Sequence, residues 1–325
     1  MRIVVIGGTG HIGTFLSPRL VEAGHDVTCV SRGQRQPYRA HVAWNQIVHA
    51  TLDRQVEETK GSFGEQITAL RPDVVIDLTC YYPDSAEQLV SALRGRVKHF
   101  LHCGTIWVHG HSVQVPTTEE APRQPFGDYG CRKAAIERYL LEQASGSFPT
   151  TILHPGHLVG PGWRPVNPAG NFNPQVFSDL AAGREVLLPN FGMETLHHVH
   201  AEDVAAAFVL ALTSPTAAIG ESFHVVSAAA LTLRGYAERM AAWFGQKPQL
   251  RFLPWEEWRR SATEEDARIT WDHIAHSPNC SIEKAQRLLG YEPRYGSLEA
   301  VQESVSVAAG HAGSTIAVSG PRGQR

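Results

Sequence analysis

The sequence predicts an α/β protein: a doubly wound parallel sheet followed by a small, mostly helical C-terminal part. Three observations carry this reading. The chain opens on an apolar run, Ile3-Val4-Val5-Ile6, that feeds a turn with glycines at 7, 10 and 13. Strand and helix patterns then alternate through the first half. After Pro155 the character changes, and Gly, Pro and Asn dominate up to residue 174. Such alternation builds parallel strands joined by right-handed helical crossovers, which put ligands at the carboxyl ends of the strands.

Each element has its own warrant. Ile3–Ile6 reads as a strand buried on both faces. Further strands are expected at Asp26–Val30, Gln46–Ala50, Val74–Leu78, Phe100–Cys103 and Thr151–His154. Helical patterns fall at Ile12–Ala23, near Gly64–Leu70, at Ser85–Leu93 and at Tyr129–Ala144. Residues 155–174 read as a long functional loop rather than core. A helix is expected at Asn173–Ala182. A strand at His197–His200, a helix at Ala201–Leu212 and a strand at Ser222–Val226 are expected to return to the sheet. Residues 232–304 read as a mostly helical cap, and the Gly-, Ser- and Ala-rich end as a disordered tail. No internal repeat is visible.

The bulk numbers narrow the class. The chain has 325 residues, 42% hydrophobic and 19% charged, enough for a large globular core. A net charge of −3 offers no electrostatic footprint for nucleic acid. No apolar run is long enough for a membrane span, and the first strand begins where a signal peptide would stand, so a cytoplasmic protein is expected. The five cysteines, at 29, 80, 103, 131 and 280, are scattered without a C-x-x-C pair. Neither a disulfide framework nor a zinc site is indicated.

The glycine turn carries the first chemistry. Gly7 allows a tight turn, Gly10 lets backbone approach a pyrophosphate, and Gly13 lets helix and strand pack closely. His11 and Ile12 open the helix, whose free N–H groups suit phosphate oxygens. The second strand ends in Ser31-Arg32-Gly33. An NAD-selective site wants a carboxylate there, and none is present. Ser31 and Arg32 suit the 2′-phosphate of NADP instead. Asp53 and Arg54, after the third strand, are candidates to flank the adenine.

The second chemistry lies further on. Tyr129 and Lys133 stand four apart at a helix start and emerge on one face. The chain holds only five lysines and eight tyrosines, which makes this pairing uncommon by chance. An adjacent ammonium stabilises a phenolate, so the Tyr129 pKa is expected to fall toward working pH, where a phenol can trade a proton with an alcohol or carbonyl. Thr105 leaves the carboxyl end of strand Phe100–Cys103 and offers a hydroxyl to a substrate oxygen. Trp107, His109, His154 and His157 lie near the same end and are candidate substrate contacts. Seventeen histidines invite a metal reading. The densest run, His197-His198-x-His200, splits its side chains across a strand, so no metal is expected.

Together these residues resemble the extended or atypical branch of the short-chain dehydrogenase/reductase superfamily, the NAD-dependent epimerase/dehydratase family. Gly7, Gly10 and Gly13 fit its TGxxGxxG turn, with Ile6 for the usual Thr. Thr105, Tyr129 and Lys133 fit its Ser/Thr, Tyr and Lys set. His154-Pro155-Gly156-His157-Leu158-Val159-Gly160-Pro161-Gly162 resembles its "RPGxVYGPG" segment, with His154 for the Arg. His198–Ala205 resembles its "V-x-V-x-D-V-A" segment. Ser281–Ala285 and Leu288–Pro293 resemble its C-terminal signature. Ser31-Arg32-Gly33 and Asp53-Arg54 look most like the subgroup that includes chloroplast stem-loop-binding proteins.

The resemblance implies a Rossmann domain over residues 1–165, with 197–226 returning to it. It implies a substrate-binding cap from 166–196 and 227–306, and leaves 307–325 as tail. Lys133 would hydrogen-bond the nicotinamide ribose and lower the Tyr129 pKa. Tyr129 would be the acid/base, and Thr105 would orient the reacting oxygen. The backbone at Pro155, His157 and Leu158 would touch the nicotinamide amide. The cofactor would be NADP, favoured by Arg32, or NAD, and the protein a homodimer. One departure bears on substrate. Sugar-nucleotide epimerases carry an Arg-Asp pair where this chain has Leu196-His197, so a diphosphate loses an anchor and a smaller or neutral substrate is favoured. Three functions follow: a net reductase or dehydrogenase on a small carbonyl or alcohol, an epimerase or dehydratase that keeps its cofactor, or a non-catalytic cofactor-sensing or RNA-binding relative.

Overall fold

The computed structural model describes residues 1–146 and 148–311. Its thirteen strands among the described residues are β1 (Arg2–Ile6), β2 (Asp26–Ser31), β3 (Val48–Thr51), β4 (Val74–Asp77), β5 (His99–Cys103), β6 (Thr150–Pro155), β7 (His157–Val159), β8 (Glu185–Pro189), β9 (Thr195–Leu196), β10 (His198–His200), β11 (Ser222–Val225), β12 (Leu231–Thr232) and β13 (Gln249–Leu253). Seven form one parallel sheet in the order β11-β6-β5-β4-β1-β2-β3. From β1 the chain runs one way to β2 and β3, then back past β1 to β4, β5 and β6. The reversal opens a crevice beyond the carboxyl end of β1, where ligands bind in open α/β sheets.

β1 sits centrally because its apolar run can be buried on both faces. Ile3 and Val5 point into one core with Phe15, Leu16 and Phe208. Val4 and Ile6 point into the other with Phe63, Leu89 and Ile136. That is the two-residue period of a strand. The first face is covered by α1 (His11–Glu22), and later by α7 (Ala201–Thr213), which packs on α1. The second is covered by α3 (Phe63–Ala69), α4 (Pro83–Leu93) and α5 (Gly127–Ser145). Between β3 and α3 lies the short α2 (Arg54–Thr59), which the sequence pattern did not suggest because none of its residues is buried.

A further core gathers the later segments. Phe177, Leu188, Tyr236, Met240, Trp258 and Val301 meet there. They come from α6 (Gln175–Ala181), β8, α9 (Leu233–Trp243), α10 (Trp255–Ser261) and α13 (Ser297–His311). The short α8 (Pro215–Ala218), α11 (Glu264–His276) and α12 (Glu283–Leu289) complete the helices. β13, paired with β8, interrupts the helical run expected over 232–304, and β9 and β12 form a further pair.

Three expectations need correction. His198–His200 does not return to the large sheet; β10 pairs with β7 as a separate parallel pair, and only β11 returns, beside β6. Residues 155–174 are a surface loop only in part: past the exposed residues 162–164 the segment turns inward. Val166, Asn167, Ala169 and Asn171 are buried, because Asn167 and Asn171 hydrogen-bond the backbone that a buried loop would leave unsatisfied. The expected tail begins too early, since α13 continues to His311; residues 312–325 lie outside the described residues.

Candidate active site

The glycine turn is built as its spacing demands. Gly7 has φ +85°, and a Cβ there would lie 2.5 Å from Thr79 Cγ2. A Cβ on Gly13 would run into the Gly8 carbonyl, so only glycine lets α1 pack on the turn. α1 starts at Gly10 without a side-chain cap or an acidic residue in its first turn, which leaves its N–H groups and positive pole to a ligand.

In front of this turn lies a cleft of about 420 Å³. Gly7, Gly10, His11, Ile12, Ser31, Arg32, Asp53, Arg54 and Leu158 line it. One end holds Ser31, Arg32 and Arg35. The other holds Leu78, Thr79, Tyr81 and Leu158. The His11 Nε2 bonds the Val159 carbonyl at 3.2 Å. Its ring stacks on Trp163 at 4.8 Å and meets Tyr38 edge-on, while Tyr38 also packs on Gly162. Tyr38 and Trp163 thus roof the turn.

Asp53 and Arg54 reach the cleft, but their charged groups serve local partners. The Asp53 carboxylate accepts from the Gln55 and Val56 amides at 3.0 and 3.3 Å, capping α2. Arg54 donates to both Asp77 oxygens, at 2.8 and 2.9 Å, and to Glu58 at 2.6 Å. Burial works against its charge, yet Asp77 and Glu58 outweigh it and raise its pKa. Pro155 is buried in β6, beside β11. The His157 amide donates to the His197 carbonyl at 2.8 Å, which leaves Leu158 as the member of that segment lining the cleft.

Thr105, Tyr129 and Lys133 come together beyond the Tyr81 end. Thr105 caps a short 3-10 turn, Ile106–His109, and its Oγ accepts the Trp107 amide at 3.3 Å. Tyr129 hydrogen-bonds Thr105 and meets Trp107 edge-on at 5.9 Å. Lys133 is buried; its Nζ donates to the Cys80 and Cys103 carbonyls, each at 2.7 Å, and lies over the Tyr81 ring at 5.0 Å. The expected fall of the Tyr129 pKa is not found. Although the residue is 37% exposed, burial of its phenol raises the pKa, with Thr105 pulling weakly the other way. Lys133 is turned to the two carbonyls, and burial lowers its own pKa. At neutral pH the phenol is therefore protonated, and the Lys133 Nζ is engaged by the two carbonyls.

His109 and His154, expected at the substrate, are buried and turned to protein partners. The His109 Nε2 meets the His224 Nε2 at 2.8 Å, and burial lowers the His109 pKa to about 4. His154 is 0% exposed. Its Nδ1 accepts the Thr105 amide at 2.9 Å, and its Nε2 faces Glu137 Oε1 at 3.0 Å. Because an amide can only donate, Nδ1 is bare, and Nε2 carries the proton given to Glu137. Glu137 in turn binds Arg123 at 2.7 and 3.2 Å. Burial opposes the Glu137 charge, but His154 and Arg123 hold its carboxyl well below the usual range. His154 therefore grips Thr105 from behind.

Among the described residues one trio, Asp77, Cys80 and His102, brings possible metal-ligand atoms within 4.8 Å of one another. Arg54 takes both Asp77 oxygens, and burial pushes the Cys80 thiol up to about 12, so the set is ion-paired and protonated. Arg35, Tyr38, Tyr81 and Trp163 also line the cleft, beyond the residues that the sequence pattern singles out. Arg35 has a local signal, a second arginine three residues after Arg32. The others act through long-range contacts that local pattern does not encode.

The comparisons with known proteins agree with this fold. The family described as NAD dependent epimerase/dehydratase matches residues 3–225. The chloroplast stem-loop binding protein of 41 kDa b from Arabidopsis thaliana is 26% identical over 94% of this chain and 79% of its own. The 2′-dehydrokanamycin reductase of Streptomyces kanamyceticus is 25% identical over 84% of this chain and 76% of its own. The UDP-glucose 4-epimerase structure from Thermotoga maritima, crystallised with UDP-glucose, superposes with a TM-score of 0.73 at 21% identity, over 96% of this chain and 100% of that one. No helix among the described residues is long and apolar enough to cross a membrane. With its matched segment running from β1 through β11, the chain belongs to the NAD-dependent epimerase/dehydratase family of extended short-chain dehydrogenases/reductases.

Proposed function

We propose that this protein is an NADP-preferring oxidoreductase that reduces a small, non-nucleotide carbonyl compound, with Tyr129 as the proton donor. The observation that carries the reading is one continuous line of groups. It runs from Ser31, Arg32 and Arg35 past the glycine turn to Tyr81, and from Tyr81 to Lys133, Tyr129 and Thr105. The residues fit a dinucleotide. Gly7 and Gly10 would hold the pyrophosphate at the uncapped start of α1, and Arg32 and Arg35 would meet a 2′-phosphate. When bound, the nicotinamide supplies or accepts the hydride.

The chain's own residues supply the rest. Tyr129, protonated at neutral pH, is suited to give a proton to a carbonyl oxygen, which is the reducing direction. The Thr105 oxygen accepts the Trp107 amide, so its hydroxyl hydrogen is free for Tyr129 or for a substrate oxygen. Lys133 Nζ holds the Cys80 and Cys103 carbonyls and lies over the Tyr81 ring, so it fixes the backbone on which Tyr81 and Thr105 stand. The relative named for a ketone of an aminoglycoside supports a substrate without a nucleotide.

A second reading, an epimerase or dehydratase with a retained cofactor, is favoured by the Tyr38 and Trp163 roof over the turn. A role in RNA binding would follow the name of the Arabidopsis relative; the net charge of −3 speaks against it. The test is cofactor uptake by calorimetry combined with Tyr129→Phe. NADPH should bind the variant as it binds the native protein, while turnover across a ketone panel falls at least about a hundredfold. Unchanged turnover removes Tyr129 from the chemistry. NADPH bound to the purified protein and released only on denaturation favours the second reading.

A further inference from the structure

Three histidines pack on Trp107, which also meets Tyr129, and a fourth, His198, packs on one of them, His157, at 5.8 Å. His157 lies in β7 and His198 in β10, in register across the parallel pair. His273 and His276 lie three apart on α11 and share a face. Trp107 ties His157, His273 and His276 to the chemical residues, and His157 carries the link to His198. The Trp107 ring stacks on His276 at 4.1 Å, and it meets His273, His157 and Tyr129 edge-on at 5.3, 6.3 and 5.9 Å. All four imidazoles are at least nine-tenths buried.

Their hydrogen bonds are incomplete in an informative way. The His276 Nδ1 bonds the Asp272 carbonyl at 2.6 Å, so Nδ1 carries the proton. Its buried Nε2 is then a bare lone pair, and it has no partner. The His198 Nε2 faces the Val166 carbonyl at 3.4 Å, which puts the proton there and leaves Nδ1 a bare, unpartnered acceptor. Neither ring nitrogen of His157 has a partner, so it offers one donor and one acceptor. Buried polar atoms in native proteins are nearly always paired, so these point to a ligand or to ordered water. Burial keeps the cluster uncharged, with His273 and His276 lowered to about 4 and His198 to about 3.

We infer that His157, His198 and His276 form a substrate subsite that selects a hydroxyl-rich compound and rejects a phosphorylated one. This rests on the oxidoreductase reading above and narrows its substrate class. Two bare imidazole nitrogens can only accept, so they need O–H or N–H groups. A phosphate offers acceptors and negative charge, and would face lone pairs with no cation of this cluster to meet it.

The experiment uses full-length protein saturated with NADP+. Saturation-transfer NMR and calorimetry compare myo-inositol, D-glucose and D-galactose with glucose 1-phosphate and UDP-glucose. The free polyols should bind, and each phosphorylated probe at least about tenfold more weakly, the equivalent of about one charged or two neutral hydrogen bonds. His157→Leu should weaken polyol binding by a similar factor, while His157→Asn, which keeps a donor and an acceptor, restores most of it. A leucine that binds polyols as well as the native protein overturns the subsite. So does tighter binding of UDP-glucose or glucose 1-phosphate, or an absence of polyol binding while NADP+ still binds. Loss of NADP+ binding itself, read in the same calorimeter, refutes the oxidoreductase reading instead.

Discussion

Replacing His154 by leucine tests how the Thr105 segment is held. The substitution removes the acceptor of the Thr105 amide and the Nε2 donor to Glu137. An orphaned buried amide costs about 1–3 kcal/mol. Glu137 keeps Arg123 as a partner, so the penalty for stranding a lone buried charge does not apply. Losing one of its hydrogen bonds still costs roughly 1.5–3 kcal/mol. These losses share one network and are not additive, so about 3 kcal/mol is the expected total. Urea unfolding followed by tryptophan fluorescence gives the value. His154→Asn can offer its Oδ1 to the Thr105 amide and should recover about half of the loss. NADPH binding should be unchanged in both variants, while turnover falls in the leucine variant as Thr105 loses its anchor. A leucine variant within about 0.5 kcal/mol of native, the range of an ordinary surface change, would refute the network argument.

Other substitutions probe separate links. Arg32→Asp should weaken NADPH binding by at least about tenfold, the loss of one charge-assisted contact, and NADH binding far less; equal losses in titration calorimetry would remove Arg32 from cofactor selection. Gly104→Ala places a methyl against the His154 ring and should cost about 1–3 kcal/mol in unfolding free energy. Acid should unfold the protein early. His198, His273 and His276 are lowered from 6.5 to about 3–4, so the unfolded chain takes up protons first as pH drops. Stability is then full above about pH 6.5 and is lost between there and pH 4, at roughly 1.4 kcal/mol per pH unit per histidine; a melting temperature flat from pH 7 to pH 4 would contradict this.

The elements whose signal is local were legible. β1 and the turn after it follow from four apolar residues and three glycines, and the Tyr129/Lys133 pair from helical spacing. What escaped depends on distant partners. α2 buries no side chain, so no hydrophobic period marks it. β10 reads like any short apolar-polar run, and nothing local marks its partner as β7 rather than a strand of the large sheet. The Tyr129 pKa went the other way because spacing shows that an amine is near, but not that two carbonyls already hold it. His154 seemed a substrate contact because its neighbours in sequence lie at the sheet edge; its own ring faces α5.

The return of β11 to the edge of the sheet has a consequence for dissection. Cutting the chain after residue 165 would strip β6 of its outer neighbour, and with it the ladder from Ile152 to Pro155. The fragment would present a bare row of amides and carbonyls, flanked by apolar side chains that Phe208 and Phe223 normally shield. Such an edge recruits a second copy of itself. The nucleotide-binding half should therefore be expressed only with the later strand supplied, either by permuting the chain or by adding residues 197–226 in trans.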